Sequence, residues 1–327
     1  MRRLAGRLGQ ERPTAGVFRA ELPPRRRRAT GLFRIAGFTY WAQSSHMRPK
    51  ISEIVDAAEQ LLLHPPVDTE EPPPLPVHDW REALSAIVDR IGIPTLYGGG
   101  AAGPNIRWRL PQHTVLLHPG DVGLILSCHT TEVLETAERD AFGRGVGDDK
   151  GQVPRYSDLP YLWQVARNGI GTLPPSFPAP PLAPDWDRLE ESIRSLCHAW
   201  ATQLTPQVND WAGYNVVNHA DGGRVLAVLY GADDGLTIYI DDRDGSGSGD
   251  HAVTMRHRGW DSRVPLLQWW DAYFAADADG AEAAAKLVVK EVRARGARMP
   301  GDLGVTDVNC GDNGQLMLPG LGIAPED

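Results

Sequence analysis

No apolar run in the 327 residues approaches the roughly twenty that a membrane-spanning helix needs, so no membrane segment is expected. Cysteine is nearly absent: Cys128, Cys197 and Cys310 are the whole set, with no CxxC spacing. An odd, sparse set builds no disulfide framework, which favours a reducing compartment and makes the cytoplasm the default expectation. Catalytic signatures are scarce too. There is no HxH or HExxH pair, and no GK[ST] follows the glycine-rich stretch 143–150. No cofactor is expected.

Positive charge is in short supply over most of the chain. Ten arginines against two glutamates fall within 1–46, leaving 23 basic and 40 acidic residues beyond it, a net −17. An acidic body repels phosphate backbones, which counts against a nucleic-acid surface there. Residues 1–46 lack amphipathic periodicity. They are open to three readings: a basic disordered extension that precedes a start at Met47, a nucleic-acid-binding arm, or an export signal around the 25–28 arginine run.

What the sequence does have begins at Met47. Ile51, Ile54, Val55, Ala58, Leu61 and Leu62 recur at helical spacing, and His64-Pro65-Pro66 ends the helix. A proline-rich linker over 70–76 completes a first segment, 47–76. Asp79-Trp80 then opens a stripe of Trp80, Leu84, Ile87, Val88 and Ile91, and Asp185-Trp186 opens another of Leu189, Ile193, Leu196 and Trp200. Glu82, three residues past Asp79, suggests a capping box, whereas Arg188 holds that place in the second helix. Alternating apolar residues with Gly/Asp turns follow both helices, at 106–127 and 214–240, as in half-buried antiparallel meanders.

A second landmark, Ser157-x-x-Pro160-x-Leu162, recurs as Ser262-x-x-Pro265-x-Leu267, 105 residues on, close to the 106 that separate Trp80 from Trp186. The expected fold is therefore α+β: two tandem, divergent copies of a helix–antiparallel β-meander–helix module, at 77–175 and 185–297. Each sheet should carry helices on one face. A hairpin over 304–318, turning at 311–314, and a tail occupy 298–327. By element order alone the modules resemble small chaperone-like and immunity-type α/β units; no specific motif carries the resemblance further.

The densest functional candidate is the aromatic cluster Trp260, Trp269, Trp270, Tyr273 and Phe274; its last four residues read as a helix, either buried most of the way round or with one face on the module and the other free for a partner. Asp242, Asp244 and Asp250 alternate with Gly and Ser as cation loops do, but Val253 stands where a calcium loop needs a bidentate glutamate. Cys128-His129 and Cys197-His198 are neighbours in sequence, and neighbours on a strand point apart. The functional expectation is a non-catalytic interaction or regulatory protein of immunity type, with a basic protein partner. The alternative is a hydrolytic enzyme with a site between the modules, drawing on Cys128, His113 or His257.

Overall fold

The computed structural model describes residues 32–35, 38–41, 50–65, 75–77, 79–120, 123–144, 152–208, 211–220, 223–242, 249–264, 267–311 and 314–326. The chain divides into two units, Met1–His46 and Met47–Asp327. In the first, β1 (Leu32–Ile35) pairs antiparallel with β2 (Phe38–Trp41), a pair of β-branched and aromatic stretches that the expectation of a structureless extension did not include.

The second unit opens with α1 (Ile51–Leu63), which buries Ile54, Val55, Ala57, Ala58, Leu61 and Leu62, close to the expected stripe. The end of the expected linker instead forms β3 (Leu75–Val77), antiparallel to β8 (Gly123–Thr130) at the sheet margin. Proline is tolerated in such a place because an edge strand leaves one side of its ladder free. Helix α2 (Trp80–Ile91) begins where Asp79 accepts the amides of Arg81 and Glu82, at 3.0 and 3.5 Å. Helix α4 (Trp186–Gln203) begins likewise, with Asp185 accepting the Arg188 amide at 2.9 Å. Both Asp-Trp pairs are thus N-cap and first helical residue.

The first sheet also contains β4 (Leu96–Gly100), β5 (Gly103–Pro104), β6 (Ile106–Arg109), β7 (His113–Gly120) and β9 (Trp163–Ala166). A later strand, β16 (Gln315–Met317), lies at its other margin, giving the order β16-β9-β4-β6-β7-β8-β3, with β5 paired to β4. Helix α3 (Thr131–Arg144) follows β8, and a 3-10 turn at Tyr156–Asp158 precedes β9.

Helices cover both faces of this sheet, not one. On one face His113 meets the Leu62 carbonyl of α1, and Trp108 donates to the Gly92 carbonyl after α2. The opposite face carries Arg107 and Arg109, which the alternation placed toward water. Both are buried: Arg107 pairs with Glu138, and Arg109 with Glu135, two carboxylates on α3.

A short helix, α5 (Thr205–Val208), leads from α4 into the second sheet. That sheet comprises β10 (Trp211–Asn218), β11 (Gly223–Gly231), β12 (Gly235–Asp241), β13 (Ser262–Val264), β14 (Trp269–Phe274), β15 (Leu303–Cys310) and β17 (Ala324–Pro325). Their order is β13-β14-β12-β11-β10-β15-β17, antiparallel except for β15 with β17. Helix α6 (Gly249–Arg258) sits between β12 and β13, and α7 (Ala278–Ala294) between β14 and a 3-10 turn at Pro300–Asp302.

The two sheets share an element order: a capped helix, four successive antiparallel strands (β4-β6-β7-β8 and β10-β11-β12-β14), a helix, a 3-10 turn, and a strand returning against the first. The Ser-x-x-Pro landmarks do not occupy equivalent places in it. Ser157 lies in the 3-10 turn, whereas Ser262 begins a strand. The turns at Tyr156–Asp158 and Pro300–Asp302 are the matching pair, some 140 residues apart.

Helix α4 joins the layers. It is buried along its length, packs on α7 and the second sheet, and also touches β4 of the first. Gln203 donates to the Gly100 carbonyl at 2.9 Å, while Gln207 in α5 donates to the Gly98 carbonyl and accepts its amide, each at 3.0 Å. Gly98 leaves no room for a side chain, since a Cβ there would lie 2.8 Å from the Trp163 carbonyl oxygen. The expected 304–318 hairpin does not form. Strand β15 pairs with β10 of the second sheet and β16 with β9 of the first, so the two strands belong to different sheets.

Candidate functional site

The aromatic cluster is a strand, not a helix. Trp269–Phe274 pairs with β12, and its side chains alternate across the sheet. Trp270 and Ala272 point with Leu226, Val228, Ile238 and Ile240 into the core beneath the helices, all 2% exposed or less. Trp260, in the turn after α6, is also buried. Phe274, at the strand end, is half-buried on the same side. The cluster therefore splits: Trp260 and Trp270 are core, whereas Trp269 and Tyr273 face the other way.

On that other face some side chains reach solvent, Tyr273 most of all, while Asp271, Thr237 and Ala227 are buried. Helix α4 approaches this sheet from the Tyr214 side, where Trp200 packs on the Tyr214 ring, and α6 from the Trp270 side, where His251 packs on the indole. Both rings belong to the inner face. On the outer face the Tyr239 and Trp269 rings meet at 5.7 Å, and the Arg224 guanidinium lies 4.1 Å over Trp269. Arg224 reaches this face through a register shift against β10: Leu226 pairs with Val216 and Arg224 with Val217, leaving Val225 unmatched. The bulge turns a side chain that strict alternation would bury. Arg224 is then held by Asp241 at 2.9 Å.

Tyr273 is 51% exposed, yet its hydroxyl turns inward to donate to Asp271 at 3.2 Å. Desolvation at that end, reinforced by the Asp271 charge, pushes its pKa up to about 12. Asp271 also accepts the Ser262 amide and hydroxyl at 3.0 and 2.7 Å, while Asp261 accepts the Tyr273 amide at 2.9 Å. Trp211, 37% exposed, lies on the same face of β10. The result is a surface of aromatic planes with carboxylates between them. Sequence reasoning missed Arg224, Tyr239, Asp241, Asp261 and Asp271; the two-residue spacing of Trp269, Asp271 and Tyr273 was the available sign of a strand.

The Asp/Gly/Ser loop differs in its parts. Asp244 lies outside the described residues, and Asp250 is exposed at the start of α6. Asp242 is buried with both oxygens occupied: His251 holds one and Arg263 the other, each at 2.7 Å. Burial opposes its ionisation, but those two hydrogen bonds prevail and keep its pKa below the usual carboxylate value. Among the described residues no group of three His, Cys, Asp or Glu side chains is placed to hold a metal ion.

The first sheet holds a cluster that the sequence did not suggest. Ser127 Oγ lies 2.9 Å from His118 Nε2 and 2.7 Å from His129 Nε2, bridging two imidazoles whose rings are 5.9 Å apart. Ser127 and His129 are two apart on β8, and His118 faces them across the β7–β8 hairpin. Desolvation, with the His129 and Arg107 charges, lowers the His118 pKa to about 4. Cys128 points to the opposite side of the strand, away from these groups. All three cysteines are buried, and burial pushes the Cys197 thiol to about 12. His113 is tied to α1, and His257 is exposed on α6.

Compared with known proteins, the chain matches no family model, no curated protein and no solved structure.

Proposed function

We propose that the chain is a non-catalytic protein-interaction or regulatory protein, built from two divergent copies of one α/β module, whose second copy binds a basic protein partner on its outer sheet face. The observation that carries this reading is the division of β14, where Trp270 is sealed in the core while Trp269 and Tyr273 join Tyr239 and Arg224 outside. Aromatic groups anchored by hydrogen bonds offer rigid contact area at low entropic cost, and such groups dominate binding energy at interfaces. The carboxylates of Asp241 and Asp261 give the face negative charge, with Asp271 buried behind Tyr273, and the acidic body steers a cationic partner toward it. An antitoxin-like, immunity-type role fits this chemistry. Duplication is supported by the shared element order and the matching Asp-Trp caps.

The test is affinity purification from the native host with the full chain and with Tyr273→Arg. A basic protein recovered by the first and lost with the second supports the reading. Equal recovery by both removes the sheet face from it.

A hydrolytic enzyme is the second reading, and the Ser127 bridge favours it, since a hydroxyl within reach of an imidazole is what nucleophilic catalysis requires. That cluster lies within the first module, not between the two. Hydrolysis of p-nitrophenyl acetate that disappears in Ser127→Ala would move the weight here.

A further inference from the structure

The second module carries a surface of the opposite charge. A groove of about 730 Å³ runs between α4 and α7, with Lys286, Lys290, Arg293 and Arg298 along one side and Trp186 with Glu190 on the other. Val289 and Ala297 form part of its floor. Lys286, Lys290 and Arg293 follow one another at helical spacing and project from one face of α7.

The charges in the groove are unevenly compensated. Lys286 is paired with Glu282, one turn earlier on α7, and Arg298 lies 3.6 Å from Asp302. Lys290 meets a neutral partner, the Arg258 carbonyl at 2.7 Å, and Arg293 lies 5.7 Å over the Trp186 ring. Neither Lys290 nor Arg293 has a carboxylate within ion-pair distance among the described residues. Two uncompensated cations beside an indole, in a body of strongly negative charge, form a local anion-attracting site.

We infer that this groove binds a short acidic peptide segment, its carboxylates on Lys290 and Arg293 and an apolar side chain against Trp186 and Val289. Length and surroundings select this ligand. Lys286 to Arg293 spans about 10 Å of helix, which three or four residues of extended chain would cover. A nucleic acid would carry its phosphates past that span onto the acidic body, where they are repelled. The apolar floor gives a peptide side chain a contact that a phosphate backbone lacks.

The experiment uses the full-length chain and a fluorescein-labelled octapeptide, Glu-Glu-Leu-Glu-Glu-Leu-Glu-Glu, read by anisotropy beside a labelled twelve-nucleotide oligothymidylate. The expected result is saturable peptide binding that weakens about tenfold or more in Lys290→Glu/Arg293→Glu and is retained in Tyr273→Ala on the opposite face. Both exchanged residues are exposed, and circular dichroism of the double variant checks its fold. Arg293→Gln, which removes one charge without reversing it, should fall between. Peptide binding that is absent at about 1 mM, or unchanged in the double variant, overturns the inference. Tighter binding of the oligonucleotide than of the peptide overturns the ligand class.

Discussion

Arg107 and Glu138 meet as a two-pronged pair inside the first module, with guanidinium nitrogens 2.7 and 2.8 Å from the two carboxylate oxygens and both side chains at most 7% exposed. Arg107 Nε is taken by Asn105 at 2.7 Å, and the guanidinium lies 4.5 Å over the Tyr161 ring. Each nitrogen of the buried guanidinium thereby has an acceptor, and the charge has its counterion, which offsets the cost of keeping it away from water.

Glu138→Gln should destabilise the chain by about 3 to 5 kcal/mol, because it leaves the arginine charge buried without its counterion. Arg107→Met combined with Glu138→Leu should recover most of that loss. Urea unfolding followed by tryptophan fluorescence gives both values; a single variant as stable as the parent contradicts the pairing.

His118 predicts a specific pH response. Its pKa is about 4 in the folded chain against 6.5 for an ordinary histidine, so the unfolded state takes up the proton first as the pH falls. The stability due to its neutral form is complete above about pH 6.5 and is lost progressively toward pH 4, on the order of 3 kcal/mol over that window. His118→Gln should flatten the slope of urea midpoints against pH in that range. Parallel slopes for the two proteins rule this out.

Trp270 and Tyr273 are three residues apart and should behave as different kinds of residue. Trp270→Ala empties core volume and should cost about 3 to 5 kcal/mol. Tyr273→Ala removes an exposed ring and one hydrogen bond, and should cost about 1 kcal/mol. Thermal melts of the pair separate a strand from a helix at this point, since in a helix Trp270 and Tyr273, three residues apart, would share one face.

These contrasts mark what the sequence made legible. Helices α1, α2 and α4 were legible because a one-sided apolar stripe at 3.6-residue spacing, capped in two of them by Asp79 or Asp185, matches a helix and no strand. Strand β14 was misread because Trp269-Trp270 and Tyr273-Phe274 satisfy helical spacing as well as alternation, and the pairing with β12 that decides between them is non-local. The burial of Arg107 and Arg109 depends on α3, which supplies Glu138 and Glu135 from 31 and 26 residues away. The Ser127 bridge depends on hairpin register and the Arg224 placement on a bulge; neither leaves a mark in composition. The 105-residue offset between the serine–proline landmarks linked places that the fold does not treat as equivalent.

Removal of residues 311–327 should loosen the first sheet although its remaining strands are untouched. Strand β16 protects β9 from one side, with Leu316 opposite Val165. Amide exchange at Gln164 and Ala166 should therefore accelerate in the truncated chain more than exchange in β11. Uniform acceleration across both sheets would instead mark a global loss of stability.

The pairing of that C-terminal segment also bears on the order in which the protein is made. Strand β9 leaves the ribosome roughly 150 residues before β16, its outer partner, and β10 waits about 90 residues for β15. Until residues 303–317 are made, β9 and β10 each keep an unpaired side, and such edges are the usual points of mistaken pairing between chains. A nascent chain that lacks β15 and β16 can therefore complete neither layer.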